Sequence, residues 1–165
     1  MRTPLTFFVA GAPAGQPRIK ASSRGGFVRC YTPLTVKNAK TGKREEHPAQ
    51  TWKHAVISAA QEAFRSSGNS ALWEGPLCVN ITFYFERPKN HFRSNGEVKP
   101  SSPRWHQQKP DRDNCDKLVL DSLTYHEETK FGLWTDDKQV CDGRIRKLYS
   151  NRMGCEIEIK EAGEP

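Results

Sequence analysis

Hydrophobic and polar residues alternate most cleanly from Leu77 to Glu86. Leu77, Val79, Ile81, Phe83 and Phe85 oppose Cys78, Asn80, Thr82, Tyr84 and Glu86. Period two predicts a strand, opened by Gly75-Pro76 and ended by Pro88. Leu5 to Ala10 is a short β-branched and aromatic run, which predicts a strand buried on both faces. Trp52, Val56, Ala59, Ala60, Ala63 and Phe64 recur at helical spacing, with Pro48 suited to the first turn and Ser66-Ser67-Gly68 to the stop. A second helix is predicted from Asp113 to about Thr124, with Cys115, Leu118, Val119 and Leu123 as its apolar stripe. Tyr125 to Lys130 reads as a polar turn and Phe131 to Trp134 as a short apolar piece. Gln139 to Tyr149 and Met153 to Lys160 predict a β-hairpin through Ser150-Asn151-Arg152. The order is strand, helix, strand, helix, strand, strand. It predicts an α+β fold in a single domain over residues 1–165, ending in a polar tail, 161–165.

Two stretches have no period. Residues 11–46 are basic and carry several glycines, with a hairpin expected at Arg24-Gly25-Gly26 beside Phe27, Val28 and Tyr31. Residues 87–109 form a second basic loop, in which Glu97 is the one acid and His91, Phe92, Trp105 and His106 are interleaved. Loops this long in compact domains are usually functional or disordered. Cations among aromatics suit phosphate contact with base stacking, although a plain solvated loop fits nearly as well.

Charge sharpens this division. The formal net charge is +7, yet residues 1–44 hold Arg2, Arg18, Lys20, Arg24, Arg29, Lys37, Lys40, Lys43 and Arg44 and no Asp or Glu. A one-signed field draws polyanions, and nucleic acid is the leading one, because no amphipathic helix accompanies the charge. The apolar run near the N-terminus is too short for a leader or a membrane span, so the chain reads as cytoplasmic. Five cysteines without C-x-x-C spacing argue against a zinc site and a disulfide framework. They read as buried or incidental thiols, and the five histidines as surface or loop residues.

The acids concentrate between Lys109 and Val140, where Asp111, Asp113, Asp116, Asp121, Asp136 and Asp137 surround Lys117. Asp113, Lys117 and Asp121 stand at i, i+4 and i+8, on one helix face. Asp111 sits at the helix start, where the dipole favours an anion. Asp116 lies off that face and reads as solvated. An ion-pair ladder explains the helical set and a turn explains Asp136-Asp137. Neither explains acid crowded into a chain whose loops are so basic. Carboxylates on two elements suit Mg²⁺, which takes a few carboxylates plus water and substrate phosphate. A pair of such ions about 3.5–4 Å apart clamps a phosphodiester displacement, and a lysine beside them stabilises charge on the phosphate. Arg18, Lys20, Arg24 and Arg29, with Lys109 and Arg112 beside the aspartates, are the candidate DNA contacts.

Pro110-Asp111-Arg112-Asp113-Asn114, Lys117, Leu120-Asp121-Ser122-Leu123 and Trp134-Thr135-Asp136-Asp137-Lys138-Gln139-Val140 resemble the RusA family of Holliday-junction resolvases, its phage-encoded branch included. Gly15-Gln16-Pro17-Arg18 and Tyr31-Thr32-Pro33 agree more weakly. The resemblance implies a mixed β-sheet packed by two helices and a Mg²⁺-dependent endonuclease, with Mn²⁺ as a substitute. It also implies a homodimer that resolves four-way DNA junctions by paired nicks in recombination and repair, in a bacterial host cell. Carried over by position, Asp111, Asp113 and Asp137 are the metal-binding and catalytic aspartates, Lys117 is the catalytic lysine, and Asp121 and Asp136 are supporting residues. Some family members have arginines directly before the first aspartate. Here Gln108, Lys109 and Pro110 stand there, so that DNA contact is weaker or comes from residues 87–109. The alternatives are a non-catalytic DNA-binding protein and a nuclease for flaps or other branched DNA.

Overall fold

The computed structural model describes residues 2–164, the side chain of Arg24 excepted. Its elements are β1 (Leu5–Ala10), β2 (Lys20–Arg24), β3 (Phe27–Tyr31), β4 (Thr35–Lys37), β5 (Arg44–Glu46), α1 (Pro48–Ser66), β6 (Leu77–Glu86), α2 (Arg112–Leu123), β7 (Val140–Asp142), β8 (Ile145–Ser150) and β9 (Gly154–Glu161). The main sheet is mixed. β6 is its centre, antiparallel to β9 on one edge and parallel to β7 and β8 on the other, while β1 pairs antiparallel with β9.

Both helices lie against the sheet and against each other. The alternation of β6 sends Leu77, Val79, Ile81, Phe83 and Phe85 into one core with Val9, Trp52, Val56, Leu118, Leu123, Ile157 and Ile159. Each such side chain contributes about 1.5–3 kcal/mol when fully buried. The opposite face is polar, with Thr6, Asn80, Thr82, Arg146, Glu156 and Glu158 around a shallow depression. α1 starts and stops as its sequence predicts: Pro48 opens it, the His47 Nδ1 accepts from the Ala49 N–H at 3.1 Å, and Gly68 follows the last turn at φ +69°. Among the described residues no helix is long and apolar enough to cross a membrane.

Residues 139–160 depart from the expected hairpin. β8 and β9 do not pair with each other, because β6 lies between them. The turn at Ser150-Asn151-Arg152 therefore passes over the end of β6, where the Arg152 guanidinium sits 3.4 Å from the Phe8 ring centre. A ten-residue central strand offers backbone groups on both edges and needs a partner on each. The first arm is also broken into β7 and β8 at Gly143, where a Cβ would run into the Val79 carbonyl.

The basic stretch 11–46 is more ordered than its lack of period suggests. β2–β3 is the expected hairpin, and β4–β5 is a second one. The latter is turned by Asn38, whose side-chain oxygen accepts from the N–H groups of Lys40 and Thr41.

Residues 87–109 cover the outer edge of β8. The Tyr149 N–H donates to Arg104 O at 2.9 Å and the His106 N–H to Lys147 O at 3.0 Å. His91 and His106 are loop residues but not surface ones. His91 is buried against Tyr149, and His106 stacks on Phe85 at 3.9 Å. Burial, with Lys147 nearby, holds the His106 imidazole below its ordinary value. These rings pack the protein and are not free for bases, whereas Trp105 remains exposed. Cys78, Cys115 and Cys155 are buried free thiols, and Cys30 and Cys141 are exposed ones.

Candidate active site

α2 carries the acids into place. Its N-cap is Asp111, whose side chain makes no capping hydrogen bond and so keeps its carboxylate for other partners. The chain before it is held from β8, where Lys147 donates from Nζ to the carbonyls of Gln108, at 2.6 Å, and Pro110. From the other side comes the segment after β1. Gln16 N–H donates to Asn114 O at 2.8 Å, and its amide donates to Asp121 Oδ2 at 3.3 Å. Gly15 permits this approach, since a Cβ there would stand 3.0 Å from the Asn114 Cβ. Arg18 then pairs with Asp111 at 3.7 Å. Between the two segments lies an open cleft lined by Gly15, Arg18, His47, Lys109, Asp111 and Asn114.

Two turns along α2, Asp121 is half-buried. Burial pushes its carboxyl above the ordinary value; Lys117 opposes that shift, Asp137 reinforces it, and Lys53 and His126 pull it down. Asp121 thus senses charge from three elements: Lys117 on α2, Asp137 in the turn after Trp134 and Lys53 on α1. That turn is delivered by residues 131–134, whose backbone threads between Trp73 and Thr124 through Trp73 N–H to Leu133 O at 2.7 Å and Tyr125 N–H to Trp134 O at 2.8 Å.

The adjacent pair Asp136-Asp137 divides its duties. Asp136 caps the short 3₁₀ turn Asp137–Gln139 by accepting from the Lys138 N–H at 3.0 Å. It also meets Lys138 Nζ at 3.1 Å, and its carboxyl lies below the usual range because of the backbone bond. Gln139 completes the cap, accepting from Thr135 and Asp136 and donating to the carbonyls of Trp73 and Gly75. Asp137 is exposed, next to the capped residue and in reach of Asp121.

Among the described residues no three of His, Cys, Asp and Glu stand together as a ready metal-ligand set. Asp111, Asp113 and Asp137, expected to share ions, are not gathered into one cluster. Asp113 and Asp121 cannot share one either, because eight residues of helix separate them by about 12 Å. The donors are nevertheless all carboxylate oxygens, exposed or half-buried and flanked by cations. That set suits Mg²⁺, which needs one or two carboxylates and takes its remaining oxygens from water and phosphate.

The proposed DNA contacts distribute unevenly. Arg18 and Lys109 line the cleft, and Lys20 and Arg29 lie exposed on the β2–β3 ribbon. The Arg24 side chain lies outside the described part. Arg112 is exposed on the Asp116 side of α2, where its charge draws the Asp116 carboxyl down. Asp116 itself is not simply solvated: it is half-buried, and burial outweighs Arg112 and raises its carboxyl.

A carboxyl raised in the native state binds its proton more tightly there than in the unfolded chain, so stability falls as pH rises through that window. Asp116→Asn is therefore expected to unfold at a higher temperature than wild type at neutral pH. The advantage should disappear below the ordinary carboxylate range. Thermal melts across pH check this, and equal melting at neutral pH would contradict it.

Gln16, Lys53, Gln139 and Lys147 are the site's supports that sequence reasoning did not single out. Gln16 and Gln139 lie in segments that carry the family resemblance, but neither has a role there. The others act through backbone carbonyls or across distant elements, which leaves no local signal.

The protein YqaN of Bacillus subtilis (strain 168), described as uncharacterized, is 26% identical over 165 residues, covering 95% of this chain and 96% of that one. The model of one family, described as endodeoxyribonuclease RusA, matches residues 10–160. With every strand of the main sheet but β1, both helices and every acid of the site inside that match, this chain belongs to the RusA endodeoxyribonuclease family.

Proposed function

We propose that the chain is a Mg²⁺-dependent, structure-selective endonuclease that resolves four-way DNA junctions by paired nicks, with Mn²⁺ able to substitute, in the cytoplasm of a bacterial host. One observation carries this reading. The basic segment that starts after β1 is tied through Gln16 and Arg18 to the carboxylates of α2, which juxtaposes a polyanion-binding arm with an acidic, all-oxygen site. Asp111, Asp113 and Asp137 would supply the carboxylates for metal, one or two to an ion with water and phosphate completing it, and the metal would supply Lewis-acid polarisation of the phosphate and a more acidic bound water. Asp121 and Asp136 would support them. Lys117 presents its ammonium beside Asp121 and stabilises charge developing on the phosphate. Arg18 trades Asp111 for a backbone phosphate, because an exposed ion pair of this length is worth only about 0–1 kcal/mol. Two nicks on a two-fold symmetric junction call for two sites, hence a homodimer.

The carboxylates that stand apart favour a second reading, a DNA-binding protein without catalysis. Incubation with a four-way junction, a flap and linear duplex, each with Mg²⁺ or with chelator, separates the readings. Metal-dependent nicks on the junction are expected. Binding without nicks would establish the second reading, and preferred cutting of the flap would reassign the substrate.

A further inference from the structure

The ribbon formed by β2 and β3 is exposed on both faces and packs extensively only on itself. Its register sets Lys20 opposite Tyr31 and Ser22 opposite Arg29. Directly opposed residues share a face, and alternate residues of one strand do too. Phe27, Arg29 and Tyr31 therefore run down one face of β3 as aromatic, cation, aromatic, joined by Ser22 and Lys20 from β2. The two rings are 77% and 49% exposed, so this face holds aromatic surface that no described part of the chain covers.

We propose that this face is a stacking platform for bases left unpaired at the branch point of the DNA, with Lys20 and Arg29 on the flanking phosphates. The assignment rests on the branched-DNA reading above. A base offers an aromatic face whatever its identity, and alternating cations match the backbone that links one base to the next. Phe27 and Tyr31 stand about 13 Å apart along the strand. They cannot clamp a single base, so each takes its own. In intact duplex the bases already stack on one another, and rings of this kind reach them only where stacking is broken.

The ribbon also points the strand toward the chemistry. It begins two residues after Arg18, which pairs with Asp111. A strand lying on the ribbon leads to the α2 acids. Charge excludes a second copy of the same face as the occupant. Residues 1–44 contain no Asp or Glu, so two such faces repel.

The test uses the full chain with Phe27→Ala, Tyr31→Ala and the double variant. The DNA carries 2-aminopurine at the branch-point nucleotides of a four-way junction. Wild type is expected to quench that fluorescence on binding. The double variant should lose the quenching and bind the junction at least about tenfold more weakly, with linear-duplex affinity nearly unchanged. Aromatic replacement, Phe27→Trp with Tyr31→Trp, should restore both signals. Thermal melts identical to wild type confirm that loss of binding is not loss of fold. Wild-type junction affinity and quenching in the double variant would overturn the platform. So would a smaller mass of the free variant in sedimentation, which would make the face a protein interface. If wild type prefers the junction and the double variant still does, only the platform falls. If wild type shows no junction preference, the branched-DNA reading falls and takes the platform with it.

Discussion

Asp111→Asn is expected to abolish cleavage while leaving junction binding intact or tighter. Asp111 stands at the α2 N-cap without capping duty, and its partner is Arg18 at 3.7 Å. Amidation removes an anionic oxygen ligand, and loss of metal-based charge stabilisation costs several kcal/mol, or roughly 10³-fold or more in rate. It also removes a charge that repels phosphate and releases the Arg18 guanidinium. Arg18 then meets its phosphate without first giving up Asp111, so binding tightens while the number of phosphate contacts, and with it the salt slope, stays the same. Stability should hardly change, because the pair is exposed and Lys147 still grips the carbonyls before the helix. Single-turnover cleavage, binding titrations at several salt concentrations and a thermal melt check the three parts. Undiminished cleavage would remove Asp111 from the site.

Lys117→Ala is expected to keep metal binding and lose about 10²–10³-fold in rate, the usual cost of deleting one preorganised positive group at a developing anion. The Asp121 carboxyl is already raised by burial, and Lys117 is the largest opposing influence. Deleting the lysine therefore raises Asp121 further. If ionised Asp121 supports the reaction, the acidic limb of the pH–rate profile should move to higher pH in the variant. Lys117→Arg should restore the position of that limb better than it restores the rate, since guanidinium carries the charge but not the compact ammonium. Calorimetric metal titration and pH–rate profiles read these outcomes. A wild-type rate for Lys117→Ala would take the residue out of the mechanism.

The elements with a strong period are legible in the sequence alone. α1, α2 and β6 each bury one face, so their apolar residues recur at 3.6 or 2. Alternation, however, says which face of a strand is buried and not which strand lies beside it. That is why Met153 to Lys160 was recognisable as a strand but was paired with its sequence neighbour rather than with β6 and β1. The ribbons in 11–46 left no period because both of their faces meet solvent. Crowding made Asp111, Asp113, Asp121, Asp137 and Lys117 visible as a group. The residues alone do not separate Asp136 from Asp137; only the family resemblance gives them different roles, and the capping that separates them rests on a backbone N–H and on Gln139 reaching back to Trp73 and Gly75. Gln16 meets Asp121 across 105 positions of chain, a relation no local pattern encodes.

The position of β9 has a consequence for synthesis. β1 pairs only with β9, and β9 fills the space between β1 and β6. A growing chain therefore holds β1 against α1 alone, without a strand partner, until residues 154–161 have emerged. Gln16 and Arg18 follow directly from that strand, so the sheet does not anchor the clamp they make on α2 before then. Most of the sheet's order thus arrives in one late, long-range step, the kind that slows folding. A nascent chain that has made α2 but not β9 therefore has the aspartates without the sheet that fixes Gln16 and Arg18 against them.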